Sequence, residues 1–221
     1  MDNVHQSCQT HDETQTRVNS MSSKNMSSDF FRTLSSIPNE RGFKMAFLNI
    51  VSLLKKIDEI NFSMTNKFID LIAFNETRLD PNITDNMISL DGYDVIRKDR
   101  SRNGGGVCIY LRSSINYKIR KDLVPPELEA VCVEIIKPHS KPFLVTTVYR
   151  PPSSLPEFFD DFEKLIKTID NENKEVYILG DLNCNMLKKD KDANIPTKKI
   201  KSLYELYQLT QMIDEATRVT M

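Results

Sequence analysis

Apolar positions change their spacing several times along the chain, and each change predicts an element. Met45-Ala46-Phe47-Leu48-Asn49-Ile50 is a nearly unbroken apolar run and reads as a buried strand. Leu53, Leu54, Ile57, Ile60 and Met64 then share one face at helical spacing. Leu71-Ile72-Ala73-Phe74 predicts a second strand, which ends in Asn75-Glu76-Thr77. Four more β-like runs follow at residues 107–111, 130–136, 143–149 and 176–179. Between the last two, Phe158, Phe159, Phe162, Leu165, Ile166 and Ile169 line one face of a helix opened by Leu155-Pro156-Glu157. A last helix carries Ile200, Leu203 and Tyr207, with Ile213 as its furthest extension. Residues 187–201 hold six lysines against two aspartates and predict a solvated loop.

This order is mixed. Strand, helix and strand come first, then several strands in succession, then helix, strand and helix. A strict βαβ alternation would give one parallel sheet; the consecutive strands between residues 107 and 149 suit antiparallel meanders instead. The expected class is α/β in the broad sense (α+β), with sheets packed as a sandwich and flanked by helices. Before Met45 the pattern is different. The first 44 residues contain nineteen Ser, Thr, Asn or Gln and no apolar period of 2 or 3.6. Residues 1–44 are therefore expected to be a disordered leader and residues 45–221 the folded domain.

Composition narrows the setting. A chain of 221 residues with 39% hydrophobic and 28% charged residues is ordinary for a globular domain. No apolar run approaches the roughly 18 to 20 residues that span a bilayer. Met1-Asp2-Asn3-Val4-His5 has neither the basic nor the apolar part of a secretory signal. Cys8, Cys108, Cys132 and Cys184 are scattered without zinc-ligand spacing and read as free thiols of a reducing compartment, nuclear or cytoplasmic rather than secreted. The net charge of −1 argues against a sequence-independent nucleic-acid coat but allows a local basic patch.

The candidate chemistry sits where polar residues end apolar strands. In Tyr177-Ile178-Leu179-Gly180-Asp181-Leu182-Asn183, a period of two puts Asp181 and Asn183 on one side. A carboxylate there can orient water or bind a hard cation, and an amide can donate to a phosphoryl oxygen; an Asx-turn closing the strand accounts for them equally well. Glu76 follows four apolar residues and has the character of an Mg²⁺ ligand, although for an isolated residue a salt bridge to Arg78 is the simpler account. Asn49, an amide within a buried strand, needs partners, either a ligand or the following turn. Tyr149 beside Arg150 suits a phosphate contact or a sheet rim. The Gly104-Gly105-Gly106 triplet lacks the Gly-Lys-Ser/Thr of a P-loop and reads as a tight turn. Arg97, Lys98, Arg100 and Arg102 form a basic cluster, a phosphate-backbone contact or a solvated loop.

Six segments occur in a telling order: Leu48-Asn49-Ile50, Asn75-Glu76-Thr77-Arg78-Leu79-Asp80, Gly92-Tyr93 with Arg97-Lys98-Asp99-Arg100, the glycine triplet with Val107, Tyr149-Arg150-Pro151-Pro152, and Gly180-Asp181-Leu182-Asn183. Together they resemble the endonuclease/exonuclease/phosphatase superfamily over roughly residues 45–220. The nearest likeness is to the apurinic-type endonuclease domain of non-LTR (LINE-like) retrotransposons. The resemblance implies a four-layer sandwich of two mixed sheets. It implies Mg²⁺ or Mn²⁺ on Glu76 with Asn49 beside it, and a DNA substrate. Asp181 would align or deprotonate the attacking water, Asn183 and Tyr149 would contact the scissile phosphate, and Arg97 and Arg100 would contact the DNA.

The resemblance also has gaps. Relatives usually carry Arg at the Val51 position and often Pro at that of Lys55. Two closing motifs, an Asp in a strand and a Ser-Asp-His, are absent, and the histidines are His5, His11 and His139. The expectation is a C-terminally truncated domain with weak metal binding and impaired nicking. Two other functions remain open at this point: a non-catalytic remnant that binds nucleic acid or a partner, and a phosphatase or small-molecule phosphodiesterase of the same superfamily.

Overall fold

The computed structural model describes residues 41–64 and 69–213 of the chain. The expected leader therefore lies almost wholly outside the described residues. At its end, Phe43 packs edge-on against Phe143, and the Lys44 carbonyl accepts from the Asp70 and Leu71 amides.

Among the described residues, eight strands form two mixed sheets of four. The first sheet holds β1 (Met45–Asn49), β2 (Leu71–Asn75), β3 (Tyr93–Lys98) and β4 (Val107–Arg112) in the order β1-β2-β4-β3. The second holds β5 (Asn116–Ile119), β6 (Glu129–Ile136), β7 (Phe143–Tyr149) and β8 (Glu175–Asp181) in sequence order. β1 runs parallel to β2 and β7 parallel to β8, while the other pairs are antiparallel. Three α-helices among the described residues flank the sheets: α1 (Ile57–Ser63), α2 (Glu157–Asp170) and α3 (Ile195–Leu206).

Alternation along the strands sorts the side chains into three cores, which is what a four-layer sandwich requires. Leu71, Ala73, Val107, Ile109 and Leu111 meet Val131, Val133, Ile135 and Val145 between the sheets. Ile72, Phe74, Cys108 and Tyr110 face the other way, towards Ile60 and Met64 of the α1 region. Ala130, Cys132, Leu144 and Val148 pack under Phe162, Leu165, Ile166 and Ile169 of α2 and Ile200 and Leu203 of α3. Each fully buried Leu, Ile or Phe in these cores contributes about 1.5–3 kcal/mol relative to exposure.

Asn75 joins the sheets. It is fully buried, its Nδ2 donates to the Val148 carbonyl at 2.8 Å, and its Oδ1 accepts from the Thr147 hydroxyl at 3.1 Å. This amide fixes the end of β2 against the end of β7, the two strands that deliver Glu76 and Tyr149.

The structure corrects four sequence readings. Arg97 and Lys98 belong to a strand, β3, rather than a loop, and residues 116–119 form β5. The lysine-rich stretch is not all loop: α3 begins at Ile195, where the Asn194 side chain caps the Thr197 amide at 3.0 Å and Pro196 suits the first turn. That helix ends at Leu206, so Ile213 lies beyond it.

Candidate active site

In β1, β7 and β8, the residues that share a face with the inter-sheet core continue, at the strand ends, as Asn49, Tyr149 and Asp181. Tyr149 and Asp181 are direct partners in the β7–β8 ladder, and Asn49 pairs with Asn75 in the β1–β2 ladder. The C-terminal ends of two parallel strand pairs thus open onto one mouth between the sheets.

Four of the expected residues meet there. Asn49 Nδ2 donates to Glu76 Oε1 at 3.1 Å and to Asp181 Oδ2 at 3.0 Å, a contact between residues 132 apart in sequence. The Tyr149 hydroxyl donates to the same Glu76 Oε1 at 3.1 Å. Asn183 lies next to them: its backbone amide donates to Asp181 Oδ1 at 2.9 Å, and its Nδ2 donates to the Arg150 carbonyl at 2.7 Å. The Asx-type turn is thus present, and it leaves Asp181 Oδ2 facing the cluster. The Glu76–Arg78 ion pair is present as well, at 3.3 Å, and does not remove Glu76 from the site.

The basic candidates separate. Arg100 lies over the Tyr149 ring at 5.8 Å, donates to the Gly104 carbonyl and pairs with Glu129 at 2.6 Å. Glu129 in turn accepts from the Gly106 amide at 2.7 Å, so Arg100 is held at the rim of the site. Arg97 is directed elsewhere. Its guanidinium is taken by the Ile83 carbonyl, Asp85 and Asp99, none of which belongs to the cluster.

The loops that present these groups are strained. Val51, Ser52, Glu76, Arg78 and Asn183 all have positive φ, between 48° and 81°. Each such residue costs about 1–3 kcal/mol and persists only where its surroundings hold it. Here they do: Ser52 and Leu53 amides donate to the Glu76 and Thr77 carbonyls, and Thr77 and Arg78 amides donate to the Gly106 and Gly105 carbonyls. Gly106 is confined by this packing, because a Cβ on it would stand 2.5 Å from Thr77 Oγ1.

Sequence reasoning misses what three residues do. Asn75 carries no sign of its inter-sheet bridge. Arg78 reads as a mere salt-bridge partner. Arg150, only 3% exposed, stacks its guanidinium on Phe159 and Phe158 at 5.3 and 5.9 Å and donates to the Leu182 carbonyl at 3.1 Å. It pins the turn that carries Asp181 and Asn183. In the sequence Phe158 and Phe159 read as part of a helix face; their second role, under the Arg150 guanidinium, depends on the fold.

The electrostatics favour an ionised acid. Burial pushes the Glu76 carboxyl up, but hydrogen bonds from Asn49, Tyr149 and Arg78, with the Arg78 charge, outweigh it and hold the group below its ordinary value. Burial, and then the Glu76 charge, push the Tyr149 hydroxyl up, so it stays a donor. Tyr149→Phe removes one donor to the charged form, so the Glu76 carboxyl should titrate at higher pH in the variant. Carboxyl-carbon NMR titration of metal-free protein reads this directly; an unchanged or lowered midpoint would contradict the assignment.

A hard divalent cation fits this donor set. One amide nitrogen is shared between two carboxylates, a demand that a cation meets more fully, and Asn49 Oδ1 is buried without a hydrogen-bond partner. Turning that amide over would present its oxygen to the carboxylates. Two carboxylates and an amide oxygen, completed by water, suit Mg²⁺ or Mn²⁺ better than a zinc site of nitrogen and sulfur.

The family model for the endonuclease/exonuclease/phosphatase family matches residues 28–194, most of the chain. The chain belongs to the endonuclease/exonuclease/phosphatase family. This family domain resembles, in solved structures, the endonuclease domain of TRAS1, a telomere-specific non-LTR retrotransposon (TM-score 0.59, 11% identity, 80% of this chain and 75% of that one). It also resembles the 3′ phosphatase NExo from Neisseria bound to a product DNA hairpin (TM-score 0.54, 15% identity, 75% and 71%). A third is the catalytic domain of Xenopus laevis APE2 (TM-score 0.52, 15% identity, 72% and 67%). At these identities the likeness is one of fold. No curated protein matches the chain significantly. No helix among the described residues is long and apolar enough to cross a membrane.

Proposed function

We propose that this family domain hydrolyses DNA phosphodiester bonds with Mg²⁺ or Mn²⁺, as an endonuclease of the non-LTR retrotransposon type that leaves a 3′-hydroxyl. The observation that carries the reading is the single Asn49 amide donating to both Glu76 and Asp181, with the Tyr149 hydroxyl on Glu76. Two carboxylates held this close with one kept ionised form a place for a divalent ion and a reacting phosphate.

Glu76 and Asn49 would hold the ion, which supplies charge stabilisation to the phosphoryl oxygens. Asp181 accepts the proton of the attacking water; the new P–O bond forms opposite the 3′ oxygen, whose bond to phosphorus breaks and which takes its proton from bulk water. The second Asn183 amide hydrogen donates to the phosphate, the Tyr149 hydroxyl turns from Glu76 to do the same, and Arg100 lies at its flank. His139 sits in the turn before β7, at the opposite end of that strand from Tyr149, so proton transfer does not draw on it.

The test is nicking of supercoiled plasmid. Open-circular product should appear with Mg²⁺ or Mn²⁺, vanish in chelator, and be absent in Asp181→Ala at equal protein. Product ends that a polymerase can extend identify the 3′-hydroxyl. Release of phosphate from a 3′-phosphorylated oligonucleotide without plasmid nicking would move the assignment to a phosphatase, and metal-independent nicking would remove it.

A further inference from the structure

The lysines after Asn183 are more ordered than a solvated loop requires, and their position relates them to the site. Lys201 Nζ donates to the Lys188 carbonyl at 2.6 Å and pairs with Asp190 at 2.7 Å, closing the segment onto α3. Thr197, buried in the first turn of α3, hydrogen-bonds the Cys184 side chain, one residue past Asn183. Lys199 Nζ lies 4.9 Å from the Phe159 ring, the same ring that carries the Arg150 guanidinium. A continuous chain of contacts thus runs from Lys199 through Phe159 and Arg150 to the Asp181–Asn183 turn.

On this platform Lys188, Lys189, Lys191 and Lys198 are exposed, and none forms an ion pair among the described residues. Two carboxylates share the segment, Asp190, already taken by Lys201, and the exposed Asp192. The whole chain is near neutral, so this is a concentrated positive face, which follows the Asp181–Asn183 turn along the chain and is tied to it through Lys199, Phe159 and Arg150. A flexible point charge such as an ammonium suits phosphates in a row, whose spacing it need not match closely.

We propose that the Lys188–Lys189–Lys191–Lys198 platform binds the phosphate backbone of duplex DNA next to the scissile phosphate, an inference that rests on the hydrolase reading for its substrate but not for its test. Binding by phosphate neutralisation is sequence-independent and strongly dependent on salt.

The experiment is fluorescence anisotropy of the full chain with a short duplex of arbitrary sequence, in chelator so that no hydrolysis intervenes, across a salt series. The wild type should bind at low salt. Replacing the four lysines with Gln should flatten the log–log salt dependence by roughly three to four and weaken binding at least ~10-fold. Lys118→Gln with Lys121→Gln, exposed lysines of the other end of the second sheet, should leave the slope unchanged; circular dichroism confirms that both variants fold. Equal losses in the two variants, or no binding by the wild type, overturn the proposal. Platform-dependent binding in a chain that never nicks DNA upholds the surface and removes the hydrolase reading. Nicking unaffected by the four-lysine variant, with an unchanged slope, upholds the hydrolase and removes the surface.

Discussion

Glu76→Gln is expected to lower metal-dependent nicking by ~10²- to 10⁴-fold while leaving the fold intact. The substitution keeps shape and hydrogen-bonding reach but removes the charge that the Asn49 amide, the Tyr149 hydroxyl and Arg78 converge upon. Metal titration of the variant should require a higher concentration of Mn²⁺ for half-maximal rate. Because Glu76 and Asp181 share one amide, their losses should not add: Glu76→Gln with Asp181→Asn should cost about as much as the worse single change. The pH dependence follows from the sign of the shift. The folded Glu76 is depressed, so it is ionised above its ordinary range and remains so as pH falls, protonating later than an unperturbed glutamate. The acid limb attributable to it should therefore lie below the usual carboxylate range. A Glu76→Gln enzyme with wild-type rate at limiting metal would sink the assignment.

Much of this site could be read from sequence because strands impose parity. Asn49, Tyr149 and Asp181 each end an apolar run, on the parity of that run's inter-sheet side chains. What parity cannot state is which sheet faces which. The Asn49–Asp181 contact joins the first sheet to the last strand of the second, and only the packing of the sandwich brings them together. The same reason hides Asn75, whose partners are a hydroxyl and a carbonyl on β7. The strands that escaped notice, β3 and β5, are edge strands, where charged and polar side chains reach solvent and dilute the apolar signal. Arg97 and Lys98 looked like a loop cluster for that reason. The onset of α3 was concealed by lysines, which are good helix formers that also suit a solvated loop; the decisive signal was Asn194 with Pro196, a cap and a first-turn proline.

Gly180→Ala should be among the most destabilising single changes in the domain, at about 3–5 kcal/mol, a large share of a typical domain's total stability. Gly180 has φ of +150° and pairs with Val148 in the β7–β8 ladder. A Cβ there would stand 2.0 Å from the Val148 carbonyl oxygen and 2.9 Å from its carbon. Those are backbone atoms of a buried strand, so no side-chain rotation relieves the contact. Gly106→Ala provides the contrast: its φ of +84° also strains an alanine, but the one close neighbour is a side-chain atom, the Thr77 hydroxyl, rather than a strand's backbone, and its loss should be smaller. The Val148 carbonyl is also the acceptor for Asn75, so displacing it disturbs the bridge between the sheets. Asp181 follows Gly180 directly and is the ladder partner of Tyr149, so the chemistry should fail with the strand. Denaturant melts of the two variants against wild type test the ranking. A Gly180→Ala midpoint equal to that of wild type would mean that β8 does not approach β7 this closely, and the geometry assigned to Asp181 would fall with it.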